Sequence, residues 1–202
     1  MNSSDLKGRF FMGRKPKVQY QLSNLKGQVA PSEEDIKNIL RAADEIIFVG
    51  GRTMLAKILK DSKDKKLLEK ALDKCPSYGY YHRRSIDEIT KLIDWMVVND
   101  YLDIDYNGRL PMIVFSNKGW QTYKPIYADE LLSQIQSASE ETSFELIEQL
   151  KQTNREVIEL LLTKIGESKN IGFIRFLSKW EMPEVKKVRI MINGAINKLK
   201  SV

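Results

Sequence analysis

The sequence contains a single cysteine, Cys75, and a single histidine, His82. One cysteine excludes an internal disulfide and a cysteine-rich metal site, and it is typical of a protein from a reducing cytosol. One imidazole without a neighbouring cysteine or acid cluster makes neither a catalytic triad nor a zinc site. A glycine-rich phosphate-binding loop is also missing, since "GGRT" at residues 50–53 only ends one helix and begins the next. We therefore expect no enzymatic activity, no cofactor and no bound metal ion.

Long apolar runs are missing as well. No stretch approaches the roughly 20 apolar residues that cross a bilayer, and the N-terminus has no apolar segment long enough for a signal peptide. Basic residues, in contrast, are in excess, with a net charge of +6. This balance favours an acidic partner such as nucleic acid. We expect a soluble, cytoplasmic protein with no membrane partner.

The charge is unevenly distributed along the chain. Residues 1–30 have a net charge of +5 and residues 52–91 another +5, whereas residues 129–162 reach −6 and residues 163–202 return to +6. Such blocks indicate separate modules, the first two contributing one basic surface. The first block, which mixes Gly, Lys, Arg and Gln without periodicity, predicts a basic, flexible arm.

Ordered structure is expected from Ser32 onward. Ser32 is placed as the N-cap of a helix with three acids in its first turn, and "GG" at residues 50–51 stops that helix. Two shorter helices are predicted over about residues 53–60 and 63–74, each with leucines at helical spacing. A proline and a glycine in "CPSYGY" end the second of them.

The next segments complete a winged-helix pattern. "SIDE", with Ser85 as N-cap, is a capping box that opens a helix over residues 86–98. "YLDIDY" and "RLPMIVF" then flank Asn-Gly, which is typical of a β-hairpin. The order helix, helix, capped helix, hairpin predicts a winged-helix domain over residues 31–125, with a short hairpin as its wing.

The capped third helix is poorly suited to reading the major groove, which is the common winged-helix mode. Beside its apolar face, three acids stand against one lysine, an unfavourable balance next to phosphates. The residues of this second face are Asp87, Glu88, Thr90, Lys91, Asp94, Trp95 and Asn99. Positive charge lies instead in the preceding helix and in "YYHRR".

Residues 126–202 are predicted to form a helical module. "ETSFELIEQL", "NREVIELLLTKIG", "IGFIRFLSKW" and "MPEVKKVRIMINGAINKL" are amphipathic segments that would pair as two helical hairpins. The last segment is similar to the second helix of a HEAT-type repeat, and two repeats need a neighbouring domain to pack on. The expected fold class is mostly α (α+β), a winged helix followed by a helical, HEAT-like module.

Residues 45–123 resemble a known family. "GGRTMLAKILKDSKDKKLLEKALDKCPSYG", "NDYLDIDYNGRLPMIVFSNKG" and "FSNKGW" are similar to the RQC domain of RecQ-family DNA helicases. The helicase motifs and the cysteine-rich zinc subdomain are missing, so the chain looks like a small bacterial stand-alone RQC protein. The resemblance implies a nucleoid-associated protein that recognises duplex ends, forks, junctions or quadruplexes by shape and backbone, in DNA repair, replication or recombination.

The resemblance also implies a phosphate-gripping loop before the basic helix. Lys60 and Ser62 match the basic and serine positions of that loop, and Lys66 matches a further basic position. Independently, Ser62 is expected to be the N-cap of the helix over 63–74, where a phosphate would meet free N–H groups, with Lys63 and Lys65 adding charge. In the alternative interpretation, Ser62 only caps the helix and the lysines are solvated.

Two further groups are candidate DNA contacts. Arg83 and Arg84, just before the third helix, are expected to contact phosphates, or else form a solvated basic pair. At the hairpin tip, Tyr106 would stack on a base, as the aromatic wedge of eukaryotic relatives does, and Arg109 would meet a phosphate. Alternatively, Tyr106 packs on the sheet.

Two other functions remain open at this point. A winged-helix transcriptional regulator would use the helical module for dimerisation or effector binding. An adaptor would hold DNA with the winged helix and recruit a protein partner through residues 126–202, such as a helicase without its own RQC domain. The acidic block within that module motivates the adaptor.

Overall fold

The structure is a computed structural model that describes residues 16–201. The part of the predicted arm that falls on residues 1–15 lies outside the described residues. Within the described range the chain forms nine α-helices and one two-stranded sheet. In chain order they are α1 (Glu33–Asp44), α2 (Arg52–Leu59), α3 (Lys65–Glu69), α4 (Ile86–Val98), β1 (Leu102–Asn107), β2 (Leu110–Phe115), α5 (Asn117–Ser137), α6 (Glu140–Gln152), α7 (Arg155–Glu167), α8 (Phe173–Glu181) and α9 (Lys186–Lys200).

The first half of the chain is a winged helix. Both predicted capping boxes are present, with Ser32 opening α1 and Ser85 opening α4. Apolar faces of α1, α2 and α4 pack on one another and on the inner side of the hairpin, and fully buried residues such as Ile39, Leu55 and Ile93 form the core. The expected fold class, mostly α-helical with a short hairpin wing and a helical module behind it, is confirmed.

The hairpin has a register that differs from the expected Asn-Gly turn by one residue. Asn107 pairs with Leu110 as the last rung of the antiparallel ladder, so Gly108 and Arg109 form the turn. Gly108 adopts a φ of +61°, and glycine at the first position of a two-residue turn is typical of type II′. The turn therefore depends on Gly108, while Asn107 belongs to the strand.

Residues 48–50, just before α2, form main-chain hydrogen bonds with β2. The Phe48 N–H donates to the Ile113 carbonyl at 3.2 Å, and the Ile113 N–H donates to the Gly50 carbonyl at 2.9 Å. A Cβ on Gly51 would lie 2.8 Å from the Pro111 carbonyl oxygen, which explains a glycine there. Gly51 thus lets the chain pass close to β2. The predicted end of the first helix at "GG" is wrong, because α1 already ends at Asp44.

The helix α5 connects the two halves of the molecule. Tyr123 of α5 belongs to the winged-helix core, whereas Leu131 and Ile135 belong to a second core shared with α6 to α9. The predicted division between residues 125 and 126 therefore falls inside one continuous helix, next to Pro125. The module boundaries remain a prediction, but the structure shows no break in the chain direction there.

The helical module is layered. α7 packs against both α5 and α9, and α8 packs against α9. The expected hairpin of α8 and α9 is present. The other expected hairpin would pair α6 with α7, but the main neighbours of α7 are α5 and α9. Stacking of alternate helices in this way is typical of α-solenoids. Among the described helices, none combines the length and the apolar character needed to cross a membrane.

Candidate nucleic-acid interface

The loop between α2 and α3 has a different cap from the one expected. The helix α3 begins at Lys65 and has five residues, and its N-cap is Asp64, whose carboxylate accepts the Lys66 N–H at 3.0 Å. Ser62 is therefore not the N-cap; its hydroxyl accepts the Asp64 N–H at 3.3 Å. The reason is an extra turn at Asp61, which adopts a φ of +67° and delays the helix by two residues.

The acidic cap changes the electrostatics of this loop. The Lys57 ammonium lies 2.6 Å from the Asp64 carboxylate. The hydrogen bond from Lys57, followed by that from the Lys66 N–H, lowers the pKa of Asp64 below its ordinary value. A carboxylate thus occupies the N-terminus of a helix little longer than one turn. The helix N-terminus is therefore a poor site for a phosphate, so basic side chains are the main candidates for phosphate contacts in this loop, and the contact at Ser62 stays a prediction.

The same loop is joined to the segment before α4. The Lys60 ammonium donates to the His82 carbonyl, and the Gly79 N–H donates to the Ile58 carbonyl at 3.0 Å. Gly79 has a φ of +73°, and a Cβ on it would lie 3.0 Å from the Cβ of Asp61. This close approach explains the Tyr-Gly pair after α3. It brings Lys60 next to the segment that carries Arg83 and Arg84.

The predicted basic residues form what we call the α2–α3 basic surface. Apart from Lys60, which is half-buried, all of its members are exposed. Of its six members, only Lys65 has a carboxylate partner within 4.0 Å in the described part of the chain, namely Glu69 at 3.7 Å. The surface comprises Lys60, Lys63, Lys65, Lys66, Arg83 and Arg84.

Tyrosines support two members of this surface. The Lys63 ammonium lies 5.1 Å from the centre of the Tyr78 ring, and its pKa is raised mainly by hydrogen bonding to Tyr78. The Arg84 guanidinium lies 5.0 Å from the centre of the Tyr81 ring. Tyr81 is buried and donates to the Asp35 carboxylate at 2.6 Å, so "YYHRR" combines a core tyrosine with exposed basic residues.

A groove of about 680 Å³ adjoins this surface. It lies between the N-terminus of α2, the start of α3 and residues 18–20. Four basic side chains line it, namely Arg52, Lys57, Lys65 and Lys66. Lys65 and Lys66 therefore face a concave surface, while Lys60, Ser62 and Lys63 are not among its lining residues.

The hairpin tip contacts the N-terminal segment. Tyr106 is half-buried on the same strand face as Leu102 and Ile104, and the Lys17 ammonium lies 4.6 Å from its ring centre. The Arg109 Nε donates to the Pro16 carbonyl at 3.0 Å. The large apolar side chain that is exposed at this end is Leu110, at 55%. Sequence reasoning missed Leu110, because the expected turn placed it away from the tip.

Residues 16–23 run across the winged helix and are fixed on α4. Asp94 of α4 is fully buried and accepts from the Tyr20 hydroxyl at 2.7 Å, from the Ser23 N–H at 2.7 Å and from Arg52 at 2.5 Å. Asp94 is therefore not on the exposed face to which its sequence position assigned it. The described end of the predicted flexible arm has defined contacts.

The environment of Asp94 stabilises its charge. Burial alone would raise the pKa of this carboxyl, but the hydrogen bonds from Arg52, Ser23 and Tyr20 outweigh burial and hold the pKa below its ordinary value. The same burial, together with the bond to Asp94, raises the pKa of the Tyr20 hydroxyl. No short sequence motif signals this cluster, since Tyr20 and Arg52 are 74 and 42 residues away from Asp94.

The closing motif "FSNKGW" begins α5. The Ser116 hydroxyl accepts the Gly119 N–H at 2.9 Å as N-cap and donates to the Asp100 carbonyl. Lys118 donates to the Asn99 carbonyl at 2.9 Å. These contacts fix the end of β2 to the end of α4, so this motif holds the wing in place. Within the described residues, no cluster of His, Cys, Asp or Glu suited to a metal ion is found.

Comparison with known proteins agrees with this architecture. The model of a family described as the RQC domain matches residues 32–140, a span that runs from the N-cap of α1 to the first residue of α6. The ATP-dependent DNA helicase RecQ of Bacillus subtilis (strain 168) is 28% identical over 107 residues, which are 53% of this chain and 18% of the helicase. No solved structure matches the chain. With more than half of its residues matched, the chain belongs to the RQC domain family.

Proposed function

We propose that the chain binds DNA through its sugar-phosphate backbone, with the α2–α3 basic surface as the main contact and without enzymatic activity of its own. One observation carries the proposal: six basic side chains inside the RQC match are brought together, and only Lys65 among them has a carboxylate within 4.0 Å in the described part of the chain. When such a surface contacts DNA, its cations displace the counterions that are condensed on the phosphates, and this release favours binding. The similarity to a RecQ helicase supports a context of DNA repair, replication or recombination, at the nucleoid.

The proposed contacts are to phosphates and not to base edges. Lysine ammonium groups are point charges that attract any phosphate, so they position a protein on DNA without reading its sequence. Lys60, Ser62 and Lys66 would hold one strand, and Arg83 and Arg84 would hold a neighbouring part of the backbone. Discrimination would then come from DNA shape, such as a duplex end, fork, junction or quadruplex.

The hairpin is the second part of the proposed interface. Arg109 would meet a phosphate near a duplex end. Tyr106 would stack on a terminal base only after leaving the contact with Lys17, whereas Leu110 is already exposed beside the turn. The hairpin therefore offers an apolar side chain and a cation at the same end.

A binding panel tests this proposal. The full chain is titrated with fluorescent duplex, fork, single strand, Holliday junction and quadruplex at two salt concentrations. We expect a preference for structured or duplex-end substrates, a steep fall of affinity with salt and the same affinity for a shuffled sequence. One tight sequence motif would instead favour the transcriptional regulator. Coverage of Asp94 on α4 by residues 20–23 counts against that alternative, because it covers part of the usual groove-reading helix.

An adaptor is the second candidate function. Phe144 of α6 and Met182 after α8 are exposed at 70% and 82%, and both line one groove together with Ile147. Large exposed apolar side chains that share a groove are typical of protein-interaction sites. This groove supports a protein partner for the helical module, in addition to DNA binding by the winged helix.

A further inference from the structure

The last helix has an unusual charge composition. The 15 residues of α9, "KKVRIMINGAINKLK", include five basic side chains and no acidic one. The basic residues are Lys186, Lys187, Arg189, Lys198 and Lys200. The helix lies outside the RQC match, which ends at residue 140.

These cations differ from Lys164, Arg175 and Lys179 of the helical module, which are paired with carboxylates. Lys164 lies 2.6 Å from Asp129, and both Arg175 and Lys179 contact the Glu140 carboxylate. The five basic residues of α9, in contrast, have no carboxylate within 4.0 Å among the described residues. The positive charge of α9 is thus not neutralised by direct ion pairs within the described chain, and the carboxylate on this face, Glu181, accepts from Asn193 at 2.6 Å.

The exposed face of α9 also has a position without a side chain. The buried side comprises Val188, Ile192, Ala195, Ile196 and Leu199. On the opposite side, Gly194 lies in the helix interior with open space around the position of a Cβ. A glycine there costs about 1 kcal/mol relative to alanine, and no neighbouring group of the described chain requires it. A glycine does allow a ligand backbone to approach closely.

We propose that this face of α9 is a second binding surface for the phosphate backbone of DNA, separate from the α2–α3 basic surface. The inference rests on the proposed function of the winged helix and extends it to the helical module. Basic side chains would hold phosphates on either side of the gap left by Gly194, and Asn197 would donate a hydrogen bond. The helix rises about 21 Å from Lys186 to Lys200, the axial length of about six base pairs.

The composition of this face favours nucleic acid over an acidic protein. The centres of protein interfaces are apolar or aromatic and depleted in lysine. Here the only large apolar side chain on the exposed face is Ile190, among the described residues of α9. Lysines, an arginine, asparagines and a glycine make up the rest, which is the usual chemistry of backbone contacts.

Two variants of the full chain test the inference. Lys186→Ala/Arg189→Ala removes two cations, and Gly194→Gln fills the gap without changing the charge. The test uses a fluorescent duplex of about 30 base pairs. The slope of log affinity against log salt is negative, and in the first variant it should be less steep by about 1.8. The second should weaken binding while thermal unfolding occurs at the same or a higher temperature, because glutamine favours helix more than glycine.

The controls separate this inference from the proposed function. Lys37→Ala/Lys151→Ala also removes two positive charges, from exposed ion pairs on α1 and α6, and should keep the wild-type salt slope. If the wild type binds the duplex and both α9 variants bind it equally well, the inference is wrong while the proposed function stands. If the wild type binds no DNA, the proposed function fails first. Binding of poly-glutamate that only the α9 variants lose, with unchanged duplex binding, would assign the face to an acidic protein instead.

Discussion

At the residue scale, Asp94 shows how one buried charge organises distant parts of the chain. Its carboxylate joins α4, the first residue of α2 and the N-terminal segment through Arg52, Tyr20 and Ser23. A buried carboxylate is tolerated only when its hydrogen-bonding capacity is used, and here three different groups use it. The segment of residues 20–23 is therefore held on the winged helix by polar contacts.

Substituting Asp94 should be costly. Asp94→Asn leaves the Arg52 guanidinium without its counter-charge, and we expect a loss of about 3 kcal/mol in the free energy of unfolding. Asp87→Asn, on the same helix in an exposed pair with Lys91, should change it by less than about 1 kcal/mol. Urea unfolding measures both values, and equal effects of the two substitutions would contradict the proposed anchoring.

The same site predicts a pH dependence. The folded-state pKa of Asp94 lies below its ordinary value of 3.8, so its contribution to stability is complete above that value. The contribution declines as the pH falls from there through the lowered folded-state pKa. The stability difference between wild type and Asp94→Asn should therefore shrink below about pH 4, and a constant difference down to pH 2 would be inconsistent with a titrating Asp94.

Two glycines inside helices should respond oppositely to alanine. A Cβ on Gly119 would lie 1.7 Å from the Tyr101 carbonyl oxygen, whereas Gly194 has open space. Gly119→Ala should lower the free energy of unfolding by more than about 3 kcal/mol, since main-chain atoms must move. Gly194→Ala should raise it by up to about 1 kcal/mol. Thermal unfolding of the two variants gives the comparison, and a stable Gly119→Ala would contradict the close approach of α5 to Tyr101.

At the scale of elements, α3 shows what sequence patterns leave undetermined. Serine and aspartate are equally good N-caps, and Ser62 and Asp64 both precede the basic run. Only the backbone of Asp61 decides between them, and a positive φ at an aspartate has no sequence signature of its own. The helix and its basic character could be predicted, but its first residue could not.

Capping and DNA binding can be separated in this loop. Asp64→Ala removes the cap and the ion pair with Lys57, so we expect a loss of about 1 kcal/mol in stability together with tighter DNA binding, since a negative charge disappears. Ser62→Ala should change stability by less than about 0.5 kcal/mol. Weaker DNA binding by Ser62→Ala would support its proposed phosphate contact. Chemical unfolding and fork titration of both variants provide the measurements, and weaker binding by Asp64→Ala would count against the account.

The capped helices and the hairpin were predictable, whereas α5 was not. Ser32 and Ser85 open helices with a single apolar stripe, and such periodicity is a strong signal. In α5, Tyr123 faces one core and Leu131 the other, so the apolar residues do not form one stripe. Pro125 also lies inside this helix. Tertiary packing on both sides overrides these weak local signals.

At the scale of the whole molecule, two cores share one helix. Arg41 of α1 reaches Glu130 of α5 at 2.7 Å and Glu45 at 2.7 Å, and Trp120 and Tyr127 pack on both cores. Burial alone would lower the pKa of Arg41, but its hydrogen bonds to Glu130 and Glu45 outweigh burial and raise it. The winged helix and the helical module are thus joined by ionic and aromatic contacts.

The candidate site was predictable in its location but not in its detail. Residues 60–66 stood out by charge and by the family pattern, and Arg83 and Arg84 by charge alone. The structure brings these two segments together. The contacts of residues 16–23 with α4 and with the hairpin required the fold, because they join residues far apart in sequence. The exposure of Leu110 required the register of the hairpin.

The central claim is that the α2–α3 basic surface binds the DNA backbone. The most direct test is titration of a forked duplex with wild type, Lys60→Ala/Lys66→Ala and the control Lys37→Ala/Lys151→Ala across a salt series. We predict that the wild type binds with a steep salt dependence, that the first variant binds more weakly with a slope reduced by about 1.8, and that the control retains the wild-type curve. Wild-type affinity and slope in Lys60→Ala/Lys66→Ala would contradict the account.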